Sequence, residues 1–324
     1  MSVPLLELFR VLSSFDPKRQ SLKDAPWEEY VDWAIAHGLA PLAAYNLEYR
    51  LTGAGAPTWA RERLLSVYQG TLNDNVLKLV NLKRALDELE GRQVVMFGAA
   101  STAEALYPHV AFRPVIDIEL WVRPEEVEAF ANFLRGHEFK PSELAGPPGV
   151  GKVLSDERTT LYLYADLLGP RRKEHQQALL ARALPLKVYG ASVFRPDLED
   201  AILLTALLQA REGYEVPVIS FVDLRELLLG SPSTGNAYSR PVDFEVLLGR
   251  AREWRVERAL YASVSIVERL FPWTAEAALR ARPPLPRATR AILGRVVVDP
   301  WSRLGAMQQV RGSDRLRRLL TGGG

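Results

Sequence analysis

Hydrophobic side chains recur at helical spacing in the first part of the chain and again in its last third. Near the N-terminus Leu5, Phe9 and Leu12 lie three or four positions apart, which puts them on one face of a helix. The same spacing returns over residues 197–212. The pattern predicts two helical regions, 1–90 at the N-terminal end and 196–324 at the C-terminal end.

Between these regions the apolar period shortens to the two-residue alternation of β-strands. The predicted order is strand, helix, strand, helix and a third strand, over residues 93–97, 101–107, 115–122, 124–136 and 159–166. The region 91–195 is therefore predicted to be a sheet-containing core. With helices on both sides of it in sequence, the predicted fold class is α+β.

Two acidic residues stand at alternating positions in the second predicted strand. Asp117 and Glu119 therefore point to one face of the strand, while Ile116, Ile118 and Leu120 are expected on the other. Two neighbouring carboxylates repel each other, so that either a pKa rises or a metal ion binds between them. Mg²⁺ held by carboxylates and substrate phosphates is common at sites of phosphoryl transfer.

A turn of small residues precedes these acids by one predicted helix. Gly98, Ala99 and Ser101 would let phosphate oxygens approach the backbone N–H groups, and the helix that follows adds a partial positive charge. Alone, the turn is an ordinary strand-to-helix connection, and the acid pair an ordinary solvated strand face. Their order within one strand–helix–strand unit favours a nucleotide site.

Composition narrows the classes of protein and of partner. The 324 residues are 48% hydrophobic and 25% charged, which is typical of a globular protein, and the net charge of +2 does not call for nucleic acid as a partner. The absence of cysteine excludes disulfides and thiol catalysis. Without a signal-peptide pattern or a long apolar segment, no membrane partner and a cytoplasmic location are expected.

Residues 96–140 resemble a bacterial family of uncharacterised nucleotidyltransferases, within the polymerase-beta-like nucleotidyltransferase superfamily. The shared features are the glycine of the turn, the sequence Leu106-Tyr107-Pro108, the pair Arg113-Pro114, and the two acids separated by an apolar residue. A looser likeness extends to residues 221–228.

The resemblance implies a mixed β-sheet with flanking helices. It also implies an enzyme that uses Mg²⁺ and an NTP, with ATP expected, and transfers the nucleoside monophosphate to a hydroxyl of a small molecule, sugar or protein. By position it assigns Gly98, Ala99 and Ser101 to the phosphate loop with Arg113 beside it, and Asp117, Glu119 and Asp166 to the catalytic and metal-binding carboxylates. Asp166 would activate the acceptor hydroxyl.

Three positions depart from the family pattern. Phe97 stands where the family has lysine before the loop glycine, Glu119 where it has a second aspartate, and Leu168 where it often has histidine. Each change weakens a phosphate-binding, metal-binding or catalytic position. A catalytically degenerate protein that keeps the fold for binding or regulation is therefore the alternative.

The segment from Gly146 to Lys152 is similar to the phosphate-binding loop of ATPases, but Val153 replaces the hydroxyl residue that binds Mg²⁺. Such a loop should follow a buried strand and begin a helix. Here polar residues precede it and a predicted strand follows it. A connection between two strands is the favoured interpretation, and an ATPase the weaker one.

Overall fold

A seven-stranded β-sheet lies between helices from both ends of the chain in this computed structural model. The structure describes residues 5–87, 92–169, 172–230 and 236–298. The order of strands in the sheet is β3-β4-β5-β2-β1-β7-β6. The predicted α+β class is confirmed.

The helices precede, flank and follow the strands. The N-terminal helices are α1 (Leu5–Leu12), α2 (Trp27–Ala36), α3 (Ala40–Tyr45) and α4 (Thr58–Asp87). The strands are β1 (Val95–Phe97), β2 (Asp117–Trp121), β3 (Lys140–Pro141), β4 (Val150–Ser155), β5 (Thr160–Tyr164), β6 (Leu184–Val188) and β7 (Ala191–Arg195). The intervening helices are α5 (Gly98–Ala105), α6 (Val127–Arg135) and α7 (Lys173–Arg182). The C-terminal helices are α8 (Leu198–Arg211), α9 (Ile219–Leu229), α10 (Phe244–Glu253), α11 (Glu257–Leu270), α12 (Ala275–Ala281) and α13 (Arg287–Leu293).

The centre of the sheet is mixed, as the family resemblance implied. Strand β1 pairs antiparallel with β2 and parallel with β7, while β2 pairs parallel with β5. In this register Glu119 lies between Phe97 on β1 and Tyr162 on β5. The three side chains therefore share one face of the sheet.

Local sequence explains where several elements begin and end. Asp197 caps the N-terminus of α8 by accepting a hydrogen bond from the backbone N–H of Asp200. Gly230 ends α9 in the left-handed conformation that favours glycine. Tyr189 and Gly190, both with positive φ, form the two-residue turn between β6 and β7.

Helices from the two ends of the chain and the strands contribute to one continuous hydrophobic core. The fully buried Arg225 on α9 joins the terminal regions, because its Nη2 donates to the carbonyl oxygen of Ser13 at 2.7 Å and its guanidinium packs on the ring of Phe271. The division of the chain into the regions 1–90, 91–195 and 196–324 stays a prediction.

No helix in the described part of the chain is long and apolar enough to cross a membrane.

We predict that replacing Glu104 on α5 with glutamine stabilises the protein at high pH. Burial raises the pKa of the half-buried Glu104 carboxyl to about 7, so the folded protein holds this proton more tightly than the unfolded chain does. The stability of the wild type should therefore fall as the pH rises from the ordinary glutamate range towards 7. Glu104→Gln should gain about 1 kcal/mol at pH 8, after allowance for solvent screening, and almost nothing at pH 4.

Urea denaturation at pH 4 and pH 8 measures this difference. Glu174→Gln on α7 is the control, since it also replaces an acid on a helix of the core region. An equal effect of Glu104→Gln at both pH values would contradict the assignment.

Candidate active site

The two acids of β2 lie side by side on the face of the sheet that carries Tyr162. Asp117 and Glu119 are partly buried, whereas Ile118 and Leu120 are fully buried on the opposite face, as the alternation predicts. Ile116 differs from the prediction. It precedes the strand, is 64% exposed and lines the same cleft as the acids.

Gly98 allows the Glu119 carboxyl group to lie directly against the start of α5. Its φ is +64°, and a Cβ added there would be 2.5 Å from Oε2 and 2.7 Å from Oε1 of Glu119. The nearby backbone N–H groups of Ala99 and Glu119 offset only a part of the rise that burial causes in the pKa of this carboxyl. The helix N-terminus, predicted to bind phosphate, thus also contacts a metal-binding candidate.

The acid pair carries less negative charge than two free carboxylates would. Burial, followed by repulsion from Asp117, raises the pKa of Glu119 to about 8 despite the nearby Arg113. Burial also raises the pKa of Asp117, against the opposing charge of Lys78 on α4. Near neutral pH the pair therefore shares a proton.

The arrangement of the pair fits a Mg²⁺ ion that takes its other ligands from phosphate and water. Glu119 Oε2 is buried and has no hydrogen-bond partner in the part of the chain that is described, and such an atom can be satisfied by a cation. Across the described ranges there is no cluster of three His, Cys, Asp or Glu residues suited to a metal. Two carboxylates with substrate phosphates are a common Mg²⁺ environment.

The structure does not bring Asp166 to the other two acids. Strand β5 ends at Tyr164, and its parallel register places Tyr162, not Asp166, beside Glu119. Four residues span roughly 13 Å along a strand. The Asp166 Oδ1 atom instead accepts a hydrogen bond from Gln176 Nε2 on α7, at 2.9 Å. The geometry therefore does not support Asp166 as the third metal ligand and base.

Arg113 lines the cleft, where a buried acid binds its side chain. Its Nε donates to Asp223 Oδ2 on α9 at 2.9 Å, and the Tyr107 hydroxyl donates to Oδ1 of the same carboxylate at 2.7 Å. The Arg113 side chain is 12% exposed, and its charge lowers the pKa of Glu119. Its position near the acids is thus fixed by α9.

The small-residue turn is only partly directed at the cleft. Gly98 and Ala99 line it, whereas Ser101 is 2% exposed and belongs to the buried side of α5. Thr102, one helical step further on, lines the cleft instead. Ser101 was predicted to lie in an open loop, but α5 begins at Gly98, so the helix turns this side chain inward.

The cleft has a volume of about 550 Å³ and lies between the face of the sheet and helices α8 and α9. Sequence reasoning missed the wall that the helices form: Thr205, Gln209, Arg211, Glu212, Pro217 and Ser220. It also missed Tyr162 and Tyr164, which come from the floor. The available signal was the charged pair Arg211-Glu212 at the C-terminal end of the leucine-rich helix α8.

The glycine-rich segment 146–152 is not an ATPase phosphate loop. It leads into β4, which pairs antiparallel with β5, and no helix begins at Lys152. The Lys152 ammonium group pairs with the Glu128 carboxylate at 2.7 Å. Gly146 and Pro147, at the start of the segment, line the cleft and form a part of its wall.

Comparison with known proteins places this fold and cleft in a family. Residues 23–272 match the model of the family described as uncharacterised nucleotidyltransferase. The chain belongs to this family. The matched range contains every residue named above as lining the cleft. The cleft therefore belongs to the part of the chain that defines the family.

A solved structure, that of an antigenic nucleotidyltransferase-like protein from Paracoccidioides brasiliensis, is similar at 13% sequence identity. The similarity covers 66% of this chain and 96% of that chain, with a TM-score of 0.45. No curated protein matches the sequence.

In this family member we predict that Gly98→Ala displaces the Glu119 carboxyl group and weakens metal binding about tenfold. The new Cβ would overlap the carboxyl oxygens, in addition to the strain of a positive φ. Mn²⁺ titration and thermal unfolding measure the two effects.

Gly53→Ala is the matched control for Gly98→Ala. Gly53 has a similar φ, +80°, but an added Cβ there meets nothing within 4 Å. It should cost roughly 1 kcal/mol in stability from backbone strain and leave metal binding unchanged. Equal metal affinity in the two variants would show that Gly98 does not position Glu119.

We also predict that metal binding strengthens with pH and releases a proton. Below about pH 8 the Glu119 carboxyl is mostly protonated, and a metal ion must displace that proton. Mn²⁺ affinity should rise on the order of tenfold between pH 6.5 and pH 8.5. Calorimetry in buffers of different ionisation enthalpy counts the protons released.

Glu119→Gln should remove this pH dependence, while Glu212→Gln, on the helical wall of the same cleft, should keep it. A wild-type affinity that does not change with pH would contradict the shared proton.

Proposed function

We propose that the protein binds an NTP with Mg²⁺ in the cleft between β2 and helices α8 and α9, and transfers its nucleoside monophosphate to an acceptor hydroxyl. The observation that carries the proposal is the pairing of Asp117 and Glu119 against the N-terminus of α5. A volume of about 550 Å³ is within the range of small-molecule sites.

The residues of the cleft divide into roles that suit this reaction. Asp117 and Glu119 would hold Mg²⁺, which when bound neutralises phosphate charge and favours displacement at phosphorus. Gly98 and Ala99 line the cleft beside the Glu119 carboxyl, so the N-terminal end of α5 would act on the same ligand as the acid pair. Tyr162 provides an apolar ring on the floor that suits a base or a sugar.

In the proposed transfer the acceptor oxygen attacks the α-phosphorus, the bond to the bridging oxygen breaks, and pyrophosphate leaves. The hydroxyl proton needs a base within the cleft. Glu212 is the lining carboxylate that remains, because Asp223 is committed to Arg113 and Tyr107. Glu212 is exposed, and its charge raises the pKa of both Tyr162 and Tyr164, so it lies near the floor. We assign Glu212 as the base that accepts the proton of the acceptor hydroxyl.

Calorimetry with each of the four NTPs and Mg²⁺ tests the binding step. Asp117→Asn should abolish Mg²⁺-dependent binding, because it removes half of the metal's protein ligands. Glu212→Gln should bind NTP as the wild type does but release pyrophosphate about 100-fold more slowly. Absence of NTP binding by the wild type, or unchanged binding by Asp117→Asn, would contradict the proposal.

A catalytically degenerate binding or regulatory protein is the second candidate. It is favoured by the position of Tyr162, which lies beside Glu119 where a third acid would complete a metal site. Under this alternative the wild type binds Mg²⁺ and NTP, pyrophosphate does not form with any hydroxyl acceptor or water, and Glu212→Gln changes nothing.

ATP as the preferred NTP, a small molecule, sugar or protein as acceptor, the lack of a nucleic-acid partner and a cytoplasmic location stay predictions.

A further inference from the structure

Arg211, the last residue of α8, lines the cleft and has one nitrogen without a hydrogen-bond partner among the described residues. Its Nη2 donates to the carbonyl oxygen of Leu167 at 2.6 Å, which holds the guanidinium in place. Its Nη1 is buried and has no hydrogen-bond partner within the described ranges. A buried charged donor without a partner is costly. An oxyanion in the cleft would satisfy it.

The surroundings of Arg211 connect it with the start of α5. The ring of Tyr164 lies 5.1 Å from the ring of Phe97, the residue before Gly98. Tyr164 is also close enough to Glu119 and Arg211 for both charges to act on its hydroxyl. The guanidinium therefore lies on the same side of the sheet as the acid pair and Gly98.

The two cations that line the cleft among the described residues are not equivalent. Arg113 forms an ion pair with the buried Asp223 carboxylate. Arg211 has neighbouring charges at Asp166 and Glu212, but no ion pair with either among the residues that the structure describes. Its charge is consequently the one available to an anionic ligand.

We propose that Arg211, a cation on the C-terminal helix α8, binds the phosphate groups of the nucleotide. Phe97, the strand residue before Gly98, is apolar and cannot bind phosphate. This inference rests on the proposed function. The planar guanidinium suits phosphate, because its parallel N–H groups can donate to two oxygens at once.

Calorimetry with three probes, Mg²⁺-bound ATP, inorganic tripolyphosphate and adenosine, tests the role of Arg211. Arg211→Ala should weaken the binding of ATP and of tripolyphosphate about 30-fold. Its affinity for adenosine should equal that of the wild type. Arg211→Lys keeps the charge but not the planar fork, and should restore part of the loss.

Arg172→Ala is the matched control. Arg172 is a neighbouring guanidinium that also donates to a carbonyl oxygen of the same loop, that of Leu168 at 2.6 Å, but it does not line the cleft. This variant should bind all three probes normally. Thermal unfolding of each variant separates lost binding from lost folding, and Arg211→Lys carries the test if Arg211→Ala does not fold.

The outcomes separate the inference from the proposed function. If the wild type binds ATP and both Arg211 variants bind it equally well, the inference is overturned and the proposed function stands. If the wild type binds tripolyphosphate through Arg211 but no NTP, the anion site stands and the proposed function fails. If the wild type binds neither ATP nor tripolyphosphate, both the inference and the proposed function fail. An equal loss in Arg172→Ala would also overturn the inference, since it would indicate a general effect on the loop.

Discussion

The ion pair between Arg113 and Asp223 is the contact on which the cleft depends. Both side chains are nearly buried, 12% and 4% exposed, and the Tyr107 hydroxyl completes the set. Because removing one partner would leave an isolated charge in the interior, such a pair is costly to break. It fixes α9 to the chain segment that enters β2. The helical wall is thereby held over the two acids.

This cleft is lined by carboxyl groups on its floor and by a guanidinium group on its wall that lack part of their hydrogen-bond or ionic partners among the described residues. On the floor, Asp117 and Glu119 are crowded and partly desolvated, and Glu119 Oε2 has no partner in the described part of the chain. On the wall, Arg211 has a donor that likewise lacks a partner among the described residues. A cation suits the first group and an anion the second. A metal-bound polyphosphate would supply both, and for this reason the proposed function assigns one ligand class to the whole site.

Local features of this site could be predicted from the sequence, because they follow from the chain's own periodicity. The alternation around Asp117 and Glu119 gave the correct shared face, and the small-residue turn gave the start of α5 to within three residues. Features that depend on pairing between distant segments could not be predicted. The register of β5 against β2 decides that Tyr162 lies beside Glu119, and nothing in the sequence near Asp166 reports it. Arg211 and Glu212 reach the cleft through the packing of α8 against α9 and α11, which no local pattern reports.

A crystal structure with Mn²⁺ and a non-hydrolysable ATP analogue tests the central claim most directly. Anomalous scattering locates the metal independently of the protein model. The account predicts a Mn²⁺ peak between the Asp117 and Glu119 carboxylates, with the phosphates between that peak and the α8 wall. A nucleotide bound elsewhere, or a Mn²⁺ peak that neither carboxylate contacts, would contradict it.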